Sequence, residues 1–349
     1  MKVFIIHAKS PSLTTVANHL AKVAKSMGHD VRVMSDYVHQ DFLFYKPNAV
    51  IWIEPVNVPM SSRYAGQYST NKIYAKWLKQ LWYGTCEGTP YGEPAKYPAW
   101  YQIDFIANSL FTANKLTEVN YHVIDIIHHA YDPDENREAI EYADFLRKKI
   151  ERDFPGKVIF AIAEGAHKRK GWEKLIQALK LIPDNVREKF VILAIAHKAT
   201  IDKVLPDAPE KSIYVVGQFG EMARKQVLAL FAIADYVLVP SLAEGFGLPV
   251  LEANSLGRLG IFVNMEPYNE FADTKANITF PWDTIKEIVD NGVEFELHDY
   301  DPQYLADAII EAVDMAKSGE YEERAKRAYE AVKDMTITNL YAKIIKYIE

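Results

Sequence analysis

The chain has 349 residues, 49% hydrophobic and 25% charged, which is soluble globular composition and more than one comfortable core, so two domains are expected. Its 47 acidic against 40 basic residues give a net charge of -7, which argues against nucleic-acid binding as the main function. No run of apolar residues is long enough to span a membrane, the opening MKVFIIHAKSPS is too short for a secretory leader, and the single Cys86 supports neither an internal disulfide nor a cysteine metal site. Cytoplasmic residence is expected, with peripheral contact at the inner membrane face left open.

In chain order, strand-like and helix-like segments alternate, the pattern of a parallel sheet flanked by helices. Residues 2–7 predict a strand, 14–27 a helix, and 30–34, 49–53, 81–85, 104–107 and 123–127 further strands, with a helix after Ser109. Residues 54–72 and 87–101, rich in Pro, Gly, Ser and Tyr, predict long loops over one edge of the sheet. A charged helix over 134–152 leads to Phe154-Pro155-Gly156, the strongest boundary signal in the chain. The alternation then restarts, with strands at 157–163, 190–196, 212–216, 236–240 and 260–264, helices at 171–181, 221–233 and 249–256, and helical spacing over 303–349. This gives an N-terminal Rossmann-like domain over 1–155 and a C-terminal one over 156–330, with 331–349 a terminal helix that packs back on the first.

The most informative stretch is SLAEGFGLPVLEANSLG, residues 241–257. Gly245 and Gly247 permit a tight turn after the apolar strand, Pro249 suits a helix start, and Gly257 supplies a stop. Such a strand, glycine turn and helix N-terminus form a cradle for phosphate, and Glu244 and Glu252 flank it.

The segment IADYVLVPSLAEGFGLPVLEANSLG, starting at Ile233, resembles the donor-site signature of retaining GT-B glycosyltransferases, in particular glycosyltransferase family 4, with seven residues between the two glutamates. KVIFAIAEGAHKRKGWEKLIQALKLI, residues 157–182, is similar to the family's first strand and helix of the donor domain. The resemblance implies a GT-B fold, two Rossmann-like domains facing across a cleft. It implies that Lys170 holds the donor diphosphate, Glu244 faces the donor sugar and Glu252 accepts hydrogen bonds from the ribose. The backbone N–H groups of Phe246, Gly247 and Leu248, with Gly245, become candidate sugar or phosphate contacts. Relatives carry an arginine five or six residues before the lysine, whereas this chain has Gly165 and Glu164; Lys168 or Arg169 replaces that charge, or the helix end carries more of it. Phe219 sits where the family packs its nucleobase, to stack on a base or to cap the core. Asn269 and Glu270 fall where relatives have a glycine-rich loop and a Pro-Glu pair.

The first domain, expected to hold the acceptor, matches less. Relatives open with two glycines where this chain has Ala8-Lys9-Ser10-Pro11-Ser12, so Ser12 or Thr14 reads as a helix cap before a ligand, and Glu87 falls where relatives place a histidine near the sugar, with a plain loop carboxylate the alternative. His128 and His129 adjoin, but neighbouring strand residues point apart, and Asp132-Pro133-Asp134 reads as a turn and helix start. Hydrolase-elbow, zincin and P-loop motifs are missing from the sequence.

The expected function is metal-independent transfer of a sugar, with retention, from a UDP- or GDP-linked donor to a glycan, lipid or small molecule, without a further cofactor. The alternatives are a non-catalytic nucleotide-sugar-binding protein and a phosphorylase or epimerase on the same architecture.

Overall fold

A computed structural model describes residues 1–35, 44–53, 66–73, 75–92, 102–316 and 318–349. The first sheet is built from β1 (Lys2–His7), β2 (Asp30–Met34), β3 (Ala49–Ile53), β4 (Lys79–Gly84), β6 (Asp104–Ala107) and β7 (His122–Ile126), all parallel, in the order β2-β1-β3-β4-β6-β7. Its central strands are continuous runs of Val, Ile, Trp and Phe because helices cover both faces. Helix α1 (Pro11–Ser26) starts at Ser10, whose Oγ accepts from the Leu13 N–H at 3.3 Å, with Pro11 pre-set for the first turn. Ser10 is therefore the cap, and Ser12 is exposed beside it.

The second sheet has the order β10-β9-β8-β11-β12-β13, again all parallel: β8 (Val158–Glu164), β9 (Phe190–Ala196), β10 (Ile213–Gln218), β11 (Tyr236–Val239), β12 (Leu259–Val263) and β13 (Ile278–Phe280). It is joined to the first by α3 (Pro133–Asp153), whose start Asp132 caps by accepting from the Asp134 N–H at 3.0 Å. Helix α2 (Leu110–Glu118) follows β6; in the second half, α4 (Trp172–Leu181), α5 (Arg224–Ile233) and α6 (Leu248–Ser255) follow β8, β10 and β11. The carboxyl ends of both sheets face one another, the position at which open α/β sheets bind ligands.

The stretch from 303, read as helical, is three helices, α7 (Pro302–Met315), α8 (Gly319–Val332) and α9 (Ile337–Lys346). Two features depart from the sequence reading. Residues 66–72, expected to be loop, are helical, whereas 54–65 and 93–101 of the expected loops lie outside the described residues. A third sheet was not anticipated: the hairpin β14 (Thr284–Asp290) and β15 (Val293–Asp299) is antiparallel, and β15 also pairs with β5 (Thr89–Pro90) of the first half. Helix α9 lies on α1, with Ile337, Tyr341, Ile344, Ile345 and Ile348 buried in the core of the first sheet.

Candidate active site

The last residue of β8, Glu164, points its carboxylate toward the turn Lys168–Lys170, a single 3-10 turn that His167 caps by accepting from the Arg169 N–H at 3.2 Å. Lys170 Nζ lies 2.9 Å from Glu164 Oε2 and 2.5 Å from Glu244 Oε1, and all three side chains are shielded from solvent. Arg169 joins the cluster with one guanidinium nitrogen 3.4 Å from Glu244, while the same arginine donates to the carbonyl of Ala243 at 3.1 Å and to Glu87 at 2.5 Å. Burial and Arg169 work against the ammonium of Lys170, yet the carboxylates of Glu164, Glu244 and Glu87 outweigh them and its pKa lies above the ordinary value. Burial pushes the Glu164 carboxyl up despite Lys170. At Glu244 burial acts in the same sense, but Lys170 and Arg169 prevail and hold the carboxyl below its usual range.

Above this cluster the 240–247 turn carries the chain into α6. No protein acceptor is paired with the N–H groups of Phe246, Gly247 or Leu248 among the described residues, leaving the helix start with donors free for an anion. The turn is pressed against the first half: Ser109 Oγ donates to the Gly245 carbonyl at 2.8 Å and Thr112 Oγ1 at 3.3 Å. A Cβ at Gly245 would stand 2.6 Å from Thr85 Oγ1 and 2.8 Å from the Cys86 carbonyl, so this close approach requires glycine. Phe246 is buried, stacked on Phe271 with ring centroids 4.6 Å apart and set edge-on to His129 at 5.1 Å. His129 is itself buried, bonded to Tyr83 Oη at 2.9 Å and Asn108 Nδ2 at 3.1 Å, and burial, aided by His128 and His19, lowers its pKa to about 3.

Glu252 lies one turn into α6 and is buried. Arg224, first residue of α5, meets it at 2.7 Å and also reaches Glu135 on α3 at 3.2 Å; Glu135 in turn sits 3.0 Å from His19 on α1. His19, Asp132 and Glu135 are spaced as a metal site would require, but Lys22 Nζ already lies 2.5 Å from Asp132 and Arg224 engages Glu135, so cations of the chain fill that charge.

Thus Glu244, Lys170, Arg169 and Glu87 come together at the cleft, with Gly245 and Phe246 directly over them. Lys168 and Ser12 are exposed, Leu248 is half-buried, and Phe219 lies half-buried against the core beside Gly165. Glu270, a candidate from its motif, spans the cleft instead: its oxygens accept from the N–H groups of Leu110 and Phe111 at 2.6 and 2.9 Å, capping α2, and it lies 3.2 Å from His128. Sequence reasoning missed Tyr268 and Arg224. The Tyr268 hydroxyl is buried near Ser241, Glu244 and Glu164, and its ring packs at Gly247. Neither has a motif of its own; Arg224 was legible only as a basic residue at a helix start.

Two Rossmann-like sheets facing across a cleft, with a cationic pair and a free helix start between them, define the GT-B glycosyltransferase class. The family model "Glycosyl transferases group 1" matches residues 143–334, more than half the chain, and the protein belongs to that family. It is a glycosyltransferase. Over 355 aligned residues, covering 99% of this chain and 100% of the other, it is 27% identical to an uncharacterized glycosyltransferase of Sulfolobus islandicus rod-shaped virus 1. A shorter match, 32% identical over 91 residues (26% of this chain, 24% of the other), is to the O-antigen chain mannosyltransferase B of Escherichia coli. Among solved structures, the fold is similar to an alpha,alpha-trehalose-phosphate synthase from Burkholderia vietnamiensis (TM-score 0.72, 10% identity, 100% of this chain and 99% of that). It is similar also to HepE of Anabaena in complex with UDP and glucose (TM-score 0.69, 12% identity, 99% and 98%).

Proposed function

We propose that the protein transfers a sugar, with retention of anomeric configuration and without a metal ion, from a UDP- or GDP-linked donor. The observation that carries this reading is the buried pairing of Lys170 and Arg169 with Glu244 beneath the start of α6. On donor binding the diphosphate takes over both cations and the N–H groups of Phe246, Gly247 and Leu248, which stabilise the charge that grows as the bond from the anomeric carbon to the diphosphate oxygen breaks. Arg169, buried in the cluster, is the better placed of the two to fill the charge that relatives draw from the earlier arginine, Lys168 being exposed. Glu244, released from Lys170, faces the donor sugar as positive character develops on its anomeric carbon. The acceptor oxygen bonds to that carbon on the face the phosphate leaves, and its proton passes to the departing phosphate. Glu252 accepts from the ribose hydroxyls in place of Arg224. A relative in this fold class is crystallised with UDP and glucose, which favours a uridine donor for the first tests.

The experiment measures nucleoside diphosphate release from a panel of UDP- and GDP-sugars with EDTA present, and then reads the linkage in the product by proton NMR. Release that persists in chelator, falls at least a hundredfold in Glu244→Gln and Lys170→Met, and gives an axial linkage from an axial donor is the expected result. A requirement for added magnesium or manganese, or an inverted linkage, overturns the reading.

A further inference from the structure

A cavity of about 370 Å³ opens at one flank of the cleft, between α2 of the first half and the β14–β15 hairpin of the second, and none of the residues discussed at the Lys170 cluster lines it. Its size is that of a small-ligand site. The outer wall is Trp282, an indole left 38% exposed and held edge-on to the His298 ring at a centroid distance of 4.8 Å. An exposed aromatic face fixed in orientation suits the apolar C–H face of a pyranose. Around it stand the side-chain amides of Asn114, Asn264 and Asn269, each able both to donate to and to accept from a hydroxyl.

The charges narrow the ligand further. Glu118, Glu266 and Glu296 contribute three carboxylates against the ammonium of Lys115, which is buried and held 2.6 Å from Glu296 and 3.4 Å from Glu118. This lining disfavours phosphate, sulfate and acidic lipid and is matched to neutral hydroxyls. His298 backs the indole from inside, and burial keeps its imidazole below the ordinary pKa against the backbone of Leu242 and the nearby Glu296. The cavity also connects to the chemistry, since the His298 N–H donates to the Leu242 carbonyl at 2.8 Å, two residues before Glu244.

We propose that this flank is a saccharide subsite, in which a neutral sugar ring of the acceptor packs on Trp282 while the asparagine amides and carboxylates hold its hydroxyls. It rests on the glycosyltransferase reading of the cleft and makes the acceptor a glycan. Because both halves of the chain build its walls, occupancy favours the closed arrangement in which β5 pairs with β15.

The test uses the full chain, fluorescently labelled, on an array of neutral, sialylated and sulfated oligosaccharides without any donor, so that its failure is separate from a failure of donor turnover, which nucleoside diphosphate release reads independently. Saturable binding to neutral glycans is expected, weakened at least tenfold in Trp282→Ala, largely kept in Trp282→Phe, and unaltered in Trp77→Ala, an exposed indole elsewhere in the first half. No binding to any neutral glycan, binding confined to sulfated or sialylated ones, or affinity unchanged in Trp282→Ala overturns the proposal.

Discussion

Replacing Lys170 by Met removes the ammonium, keeps most of the stem and strands two carboxylates. Glu164 at 2.9 Å and Glu244 at 2.5 Å lose the cation they share inside a shielded cluster, with Arg169 left to one of them at 3.4 Å. Breaking a buried ion pair from one side costs about 3–5 kcal/mol, because a charge stays behind uncompensated. For a domain of this size, about 3 kcal/mol lowers Tm by roughly 6–12 °C. The carboxylates also set the sign of the pH dependence. Without Lys170 the burial that pushes Glu164 up loses its main opponent and Glu244 keeps only Arg169, so both carboxyls are expected to shift upward, and the stability contributed by their neutral forms is lost as pH rises. The deficit therefore grows from pH 5 to pH 8. Adding Glu244→Gln removes one stranded charge, so the double variant is more stable than the sum of the two single losses. Differential scanning calorimetry of the four proteins at pH 5 and pH 8 reads all of this. A Tm within 2 °C of the parent, a deficit independent of pH, or strictly additive losses would refute the reasoning.

Gly245→Ala drives a methyl into Thr85 and Cys86 across the cleft, so small-angle scattering is expected to show a larger radius of gyration and donor turnover to fall, whereas superimposable scattering curves contradict the closed contact. At Glu135, burial opposes ionisation but His19 and Arg224 prevail and lower the pKa to about 2; its contribution is present above the unfolded value near pH 4 and lost as pH falls toward 2. The stability gap between the parent and Glu135→Gln is therefore expected to close over that acid range in urea titrations, and a gap that widens there refutes the assignment. Arg224→Met strands Glu252 and Glu135 together and is expected to cost about 3 kcal/mol or more by the same measurement; a smaller loss than Glu135→Gln alone counts against the pairing.

The parallel sheets were legible because their strands are short β-branched runs closed by turn residues, and Glu244 with Lys170 because motif spacing names them. What stayed hidden was mostly pairing at a distance. Glu87 read as an acceptor-side residue or a plain loop carboxylate, since nothing within its own segment discloses Arg169 across the cleft, and Glu270 gave no local sign of capping α2. The β14–β15 hairpin is a different case, because its signal was present and unread: Asn291-Gly292 joins the arms with φ of 47° and 76°, and Val293, Phe295 and Leu297 alternate inward. Arg224 pairs with Glu252 only because α5, α6 and α3 converge, a tertiary fact with no one-dimensional trace.

The return of α9 to the first sheet has a consequence for how the protein is made. Tyr341 and the isoleucines of α9 complete a core whose other members end at Ala130, and the Tyr341 hydroxyl receives the Ala130 N–H at 3.3 Å. During synthesis the first sheet thus waits, with an apolar flank of α1 open to solvent, until residues 337–348 leave the ribosome. The nascent first half is a substrate for chaperones throughout translation of the second, and a nonsense mutation ahead of residue 337 would disable the domain formed by the first 130 residues.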